Sequence, residues 1–409
     1  MRKVLNFINN RFLYKVIYIL VSISFVTILG EVKLINSITS KIMILWSIYI
    51  ILRDIILYKF KNYTRYHMFL ILFLIVFLLS IVFNTGKVEN IKIFLVAIIE
   101  FFALFSLEER ASIKESINNI INLSKIMVFL SFIGGIISVM MLFFNTKITI
   151  GSNSYGISGK LFSGIYNNEN TLGIMAFISI ILSIVVLANG FNRDKYIYFL
   201  NICLQIFILY KARANSAVLA MLIFIVVLII LNIKNSFIKA TAILMLFTSS
   251  VFTWYKLYNT GKLSLYLNGR YAIWKTAIKV IKENMYFGVG NANVADSVIK
   301  ASKAPLMGVE GGGMHNIFIQ ISVANGLISS IIFILFLLFI ILFIHKYIMN
   351  NYGSSNINVI ILSFSLLISL IAINMFEANL IYIVSFISFT FWSMLSFILQ
   401  ITESPYRHI

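Results

Sequence analysis

The feature that most constrains this chain is a series of long, nearly charge-free apolar runs. A helix needs about 20 predominantly apolar residues to cross a bilayer. Runs of that kind lie at 12–29, 37–52, 66–83, 91–107, 123–144, 171–189, 196–210, 214–233, 237–254, 320–344, 357–376 and 379–400. Of the 409 residues, 60% are hydrophobic and 11% charged, whereas a soluble domain has about 45–50% and 25%. A water-soluble fold of this length cannot hide that much apolar surface, which excludes a soluble enzyme, a disordered chain and a disulfide scaffold. The single cysteine, Cys203, cannot close an internal bridge. The runs are continuously apolar rather than alternating, which argues against a β-barrel. The expectation is an all-α, polytopic integral membrane protein with about 12 transmembrane helices, forming one membrane domain over 1–409. Pro305 and Pro405 both lie outside the runs, so the helices are expected to be largely unbroken.

The net charge is +19. In a soluble chain this would point to nucleic acid, but here most basic residues sit at the ends of apolar runs, where they set topology. No nucleic-acid partner is expected. With a cytoplasmic N-terminus, the inner segments hold 17 Lys and Arg and the short outer connections 8. This predicts that both termini are cytoplasmic. The first run lacks a small-residue cleavage pattern and reads as a span. Segment 255–314 is then one long extracytoplasmic loop, the only connection large enough to build anything. Within it, 271–285 has helical apolar spacing with lysines opposite, which predicts an amphipathic helix on the membrane surface. A Gly-rich stretch follows, with Gly288, Gly290, Gly308, Gly311, Gly312 and Gly313.

The polar residues sort by side. Of nine arginines, Arg2, Arg11, Arg53, Arg65, Arg110, Arg193 and Arg407 are cytoplasmic in this topology, and only Arg213 and Arg270 face outward. Among His67, His315, His345 and His408, only His315 does. A guanidinium fork matches phosphate oxygens, and histidine suits proton transfer near neutrality. Two arginines and one histidine on one face fit a site for a lipid-linked phosphate. Each also has a plainer reading. Arg213 can be an interfacial anchor, Arg270 can belong to the polar face of the surface helix, and His315 can be a locally bonded helix start. The outward acids, Glu31, Glu89, Glu169, Glu283, Asp296, Glu310 and Glu377, are scattered among loops, with no metal-binding spacing. No metal and no cofactor are expected, and inactivation by a chelator would contradict this.

Four segments together resemble the family of O-antigen polymerases and O-antigen ligases, the bacterial glycan-assembly enzymes. YNNENTLGIMA at 166–176 is similar to an Asn-Pro-Asn turn opening a span, with the proline replaced. KARANSAVLA at 211–220 resembles the outward arginine motif. NGRYAIWKTAIKVIKENMYFGVGNAN at 268–293 resembles Gly-Arg, then Trp, then a Gly-x-Gly turn. HNIFIQISVANGLIS at 315–329 resembles His-Asn followed by a spaced Gly.

The resemblance implies an integral-membrane glycosyltransferase of the C type (GT-C) in the bacterial plasma (inner) membrane, its site facing outward; direct displacement would make it inverting, and the scattered acids make it metal-independent. Its donor is a glycan on undecaprenyl pyrophosphate, and a chain-length regulator is a candidate partner. By analogy Arg213 and Arg270 hold the pyrophosphate and His315 accepts or orients the acceptor's hydroxyl proton, with Asn316 supporting the imidazole. Trp274 and Tyr271 are candidates to stack on sugar or to sit in the interface. Glu169 is a candidate carboxylate, although an acid at a helix start is more often a cap. Polymerase is the leading reading and ligase its alternative. A flippase or transporter is less favoured, because the span centres carry almost no charge.

Overall fold

The computed structural model describes residues 7–403 apart from 109–110, 152, 160, 191–194, 268, 307, 310–312 and 355. Among residues singled out above, Arg2, Arg110, Arg193, Asn268, Glu310, Gly311, Gly312, Pro405, Arg407 and His408 lie outside the described residues. The helices are α1 (Arg11–Phe25), α2 (Lys33–Ile56), α3 (His67–Phe83), α4 (Lys87–Ile99), α5 (Ile113–Phe143), α6 (Glu169–Ala188), α7 (Lys195–Ala212), α8 (Asn215–Asn232), α9 (Ser236–Asn259), α10 (Leu263–Tyr266), α11 (Arg270–Glu283), α12 (Val294–Ala301), α13 (Ile317–Asn325), α14 (Leu327–Asn350), α15 (Ile357–Ile373) and α16 (Phe386–Glu403). Every apolar run read from the sequence overlaps a helix. Among the described residues, six are able to cross a membrane by length and composition: α5, α6, α8, α9, α14 and α16. The chain is an all-α polytopic membrane protein.

Two helices form the centre. The apolar stretch of α16 is 94% buried and that of α6 78%, whereas that of α9 is only 6% buried and runs along the periphery. Lipid is as apolar as leucine, so close helix approach depends on small residues and polar contacts. Gly173 of α6 illustrates this, because a Cβ there would come 2.2 Å from Cβ of Ala214 at the start of α8. Asn201 of α7 donates to Ser179 and Ser183 of α6, both at 2.9 Å, and Gln205 donates to the Ser131 carbonyl of α5 at 2.9 Å. Trp392 anchors an aromatic cluster, with ring centroids 5.1 Å from Phe101 and 5.6 Å from Phe105.

The structure departs from the sequence reading in several places. Helix α5 starts ten residues before the apolar run, because Ser112 and Glu115 form a capping box. After α4 the chain continues as a π-helical turn, Glu100–Leu104. The run at 320–344 is broken despite having no proline. Gly326 has φ +88°, and a Cβ on it would sit 2.1 Å from the Tyr286 carbonyl oxygen, so the chain separates into α13 and α14. Segment 374–385 between α15 and α16 is not helical, yet Asn374, Leu380, Ile381 and Ser385 are buried. Its polar backbone is satisfied from the side. The Trp392 indole donates to the Leu380 carbonyl at 2.9 Å, and Asn379 N–H donates to the Asn374 side chain at 2.8 Å. Irregular backbone at membrane depth is tolerated only when buried in protein or lining a cavity.

The long loop is not the only connection that builds structure. Residues 147–164 form an antiparallel meander, β1 (Lys147–Ile150), β2 (Asn153–Ser158) and β3 (Leu161–Gly164), in the order β1-β2-β3. Glu31 accepts hydrogen bonds from Asn153 at 2.8 Å and from the Tyr155 hydroxyl at 2.7 Å. Those two bonds hold its carboxyl below the ordinary range, so the tether is present at neutral pH and is lost as pH falls through the lowered value. The expected surface helix is α11, but its apolar face does not lie on a membrane surface. Ile273, Ala277 and Val280 are buried in a small core with Val294 and Val298 of α12 and Val323 of α13.

At the end of the bundle remote from these loops, basic residues read as topology signals are buried and paired. Arg11 binds Asp54 and Ser106, Asn62 donates to Asp54 at 3.1 Å, and Lys15 donates to Ser396 at 3.1 Å. They tie α1 to α2 and α16. Removing one member of a buried pair leaves the other charge uncompensated, at a cost of about 3–5 kcal/mol. Asp54→Ala is therefore expected to lower the unfolding midpoint in detergent sharply, and an unchanged midpoint would refute the pairing.

Candidate active site

Near the ends of α1, α6, α13 and α16 the chain encloses a cavity of about 430 Å³, within the size range of small-molecule sites. Its lining includes Val26, Ile93 of α4, the start of α6, His315, Glu377 and much of 378–387. The parts are held together locally. Asn167 N–H donates to the Val26 carbonyl at 3.0 Å, and Ile28 N–H to the Ile165 carbonyl at 2.9 Å, which joins the α1–α2 connection to the approach to α6.

Three charged or titratable groups from distant parts of the chain meet at this cavity. Arg270, the first residue of α11, places Nη2 3.1 Å from Glu377 Oε1. His315 places Nδ1 3.7 Å from Glu377 Oε2, which is ion-pair range but too long for a good hydrogen bond. Glu377 is largely buried, at 12% side-chain exposure, and His315 is more open at 31%. With Nδ1 directed at the carboxylate, Nε2 is the nitrogen left to face a reactant. Gly308 stands beside it, and a Cβ there would be 3.6 Å from Nε2. His315 has φ +47°, a left-handed conformation rare for a non-glycine residue, and residues held so cluster at active sites.

The surrounding contacts explain how that conformation is held. Trp274 donates its indole N–H to the Met314 carbonyl at 2.8 Å, and Met314 N–H donates to Gln320 at 3.0 Å. Asn316 caps α13 by accepting from Phe318 and Ile319 N–H, at 3.0 and 3.2 Å, and donates to the Met375 carbonyl at 3.1 Å. Ile317 N–H donates to the Asn374 carbonyl at 2.8 Å. The turn that carries His315 is thereby stitched to the segment that carries Glu377.

The sequence-derived candidates divide accordingly. Arg270 and His315 come together through Glu377. Arg213 does not join them. It occupies the α7–α8 turn with φ +55°, is exposed, and has no hydrogen bond or ion pair among the described residues. Its neighbour Ala214 lies against Gly173, so this turn abuts the first turns of α6, whose Asn168, Asn170 and Thr171 line the cavity. Asn316 spends its side chain on the cap and on Met375 and makes no hydrogen bond to the imidazole among the described residues. Trp274 ties down the turn before His315, and its ring lies 6.3 Å from that of Phe376, so its indole N–H is committed to structure and not offered to a sugar. Tyr271 is half-buried beside Arg270 and outside the described lining. The cap of α6 is Asn168, which accepts from Thr171 N–H at 2.8 Å, and Glu169 is the first helical residue rather than the cap. There its charge complements the helix dipole.

Glu377 escaped the sequence reading, which placed it among scattered acids. One signal was available, because it is the only charged residue between two long apolar runs in INMFEANLIYIV. An isolated acid in such surroundings marks a functional site more often than chance.

A helical bundle with a polar, charge-bearing cavity near one end defines an integral-membrane protein with a candidate site built from distant parts of the chain. Residues 171–334 match the family model described as O-antigen ligase, which supports the resemblance to the O-antigen ligase and polymerase family. The matched stretch contains Arg213, Arg270 and His315 and ends before Glu377. Among curated proteins nothing matches the chain.

Proposed function

We propose that this protein is a polysaccharide polymerase of the bacterial plasma membrane. It transfers a growing glycan from undecaprenyl pyrophosphate to the non-reducing-end sugar of the next lipid-linked repeat unit, at a site facing outward. The single observation that carries this reading is the placement of Glu377 between Arg270 and His315 at the cavity. In the reaction, the acceptor hydroxyl oxygen attacks the anomeric carbon and the bond from that carbon to the pyrophosphate oxygen breaks. Undecaprenyl pyrophosphate departs, and the hydroxyl proton passes to Nε2 of His315. Glu377 faces Nδ1 across 3.7 Å, and as that contact tightens with substrate bound it orients the imidazole, as the carboxylate of a catalytic triad does. Arg270 has donors beyond the one spent on Glu377, and these, with Arg213 on the adjoining turn, neutralise the charge growing on the leaving pyrophosphate. Direct displacement inverts the anomeric centre.

A second reading, ligation of finished glycan to a lipid, wall or protein acceptor, is favoured by the description of the matching family model. Reconstitution with a synthetic pyrophosphate-linked repeat unit as both donor and acceptor tests the polymerase reading, and the absence of product would remove it. Arg213→Ala is expected to reduce turnover less than Arg270→Ala does, since Arg213 stands outside the Glu377 cluster, and an equal loss would place it in the same cluster. A null strain separates the alternatives. Accumulated single lipid-linked repeats support polymerisation, and accumulated full-length lipid-linked polymer supports ligation.

A further inference from the structure

The polar groups lining the cavity are mainly carboxamides. Asn167, Asn168 and Asn170 come from the start of α6, Asn291 and Gln320 from the long loop and α13, and Asn379 from the segment before α16. Among the described lining residues, no Lys or Arg contributes, and the only charge-bearing groups are His315 and Glu377. The cation that balances Glu377 is Arg270, which lies outside that lining. Asn291 is the most telling of the amides. Its Oδ1 accepts from Gln320 Nε2 at 3.0 Å, but its Nδ2 is buried with no partner among the described residues. A buried donor left unpaired is costly, so it marks a place for an acceptor group on a ligand.

Carboxamides supply donors and acceptors together and carry no charge. This matches sugars that present hydroxyl and acetamido groups. A carboxylated or phosphorylated sugar would bring an anion beside Glu377, where the adjacent cation, Arg270, is already paired with that carboxylate and serves the pyrophosphate in the proposed reaction, and like-charge contacts discriminate strongly against a ligand. We infer that the cavity receives an uncharged sugar, rich in hydroxyl or acetamido groups, and rejects uronic acids and other anionic sugars. The inference rests on the glycan-transfer reading and narrows its substrate class.

The test uses the full chain in nanodiscs and matched pairs of synthetic disaccharides on polyprenyl pyrophosphate. The pairs are built on glucose, galactose and their N-acetyl forms, and the two members of each differ only in CH2OH or COO− at C6 of the terminal sugar. Equilibrium competition is expected to show at least one neutral member binding about tenfold or more tightly than its uronate. Asn170→Lys, which adds a cation to the lining, is expected to strengthen uronate binding several-fold. Uronates that bind wild type as tightly as every neutral partner overturn the proposal, as does binding of neither member of any pair or uronate affinity unmoved by Asn170→Lys. Transfer is scored separately. Equal transfer to both kinds of acceptor removes the preference and leaves glycan transfer standing, whereas tight neutral binding without any transfer removes the catalytic reading and leaves the preference standing.

Discussion

His315→Ala is expected to lower the turnover of lipid-linked glycan transfer by about 100- to 10,000-fold, the usual contribution of a positioned acid–base group. The geometry determines where the loss appears. Nδ1 faces Glu377 at 3.7 Å, so in the proposed reaction Nε2 takes the acceptor proton, and removing the ring would remove the base while leaving the cavity open. Single-turnover rates with saturating donor should therefore fall while donor affinity stays within a few-fold. Glu377→Gln is the companion. It keeps the shape of the side chain but removes the charge that orients the imidazole, and it should cost less than loss of the imidazole. If His315→Ala turns over like wild type, the proton goes elsewhere and the proposed chemistry fails.

Arg270→Ala is expected to reduce turnover by about 100- to 1000-fold, by analogy with loss of one preorganised donor at a developing oxyanion. The charge it stabilises appears mainly as the bond to pyrophosphate breaks, so the defect belongs in the chemical step more than in binding. Arg270→Lys should recover little of it. A lysine supplies one compact charge, and it cannot hold Glu377 and reach a phosphate oxygen with a single planar fork. Measuring the rate with leaving groups of different acidity makes the point directly, because a better leaving group needs less help and should narrow the gap between variant and wild type. A gap that stays constant would assign Arg270 a structural role through Glu377 instead.

The membrane class and the helices were legible because any helix that crosses the bilayer needs a long apolar run, whether it faces lipid or neighbouring helices. What the runs conceal is irregular backbone. Segment 374–385 contains Leu380, Ile381, Tyr382 and Ile383 and reads as the beginning of a span, since buried non-helical chain is as apolar as helix. Gly326 reads as one more small residue in a span, and only its contact with the Tyr286 carbonyl makes it a break. At the site, Arg270 and His315 stood out by being rare on their side of the membrane. Glu377 did not, because its partner Arg270 lies 107 residues away and nothing local announces the meeting. Arg11 and Asp54 were hidden for the same reason. A basic residue at the edge of a span looks the same whether it faces lipid headgroups or a buried carboxylate.

The stitching of His315 to Glu377 also fixes when the protein can begin to work. Its cavity draws on positions from Val26 to Ile387, and its carboxylate arrives between the last two long helices. A ribosome-bound chain that has inserted every earlier helix still lacks the group that orients the imidazole. In the proposed reaction a product truncated before α15 lacks that carboxylate, and it is expected to be inert in the membrane however well its remaining helices are folded.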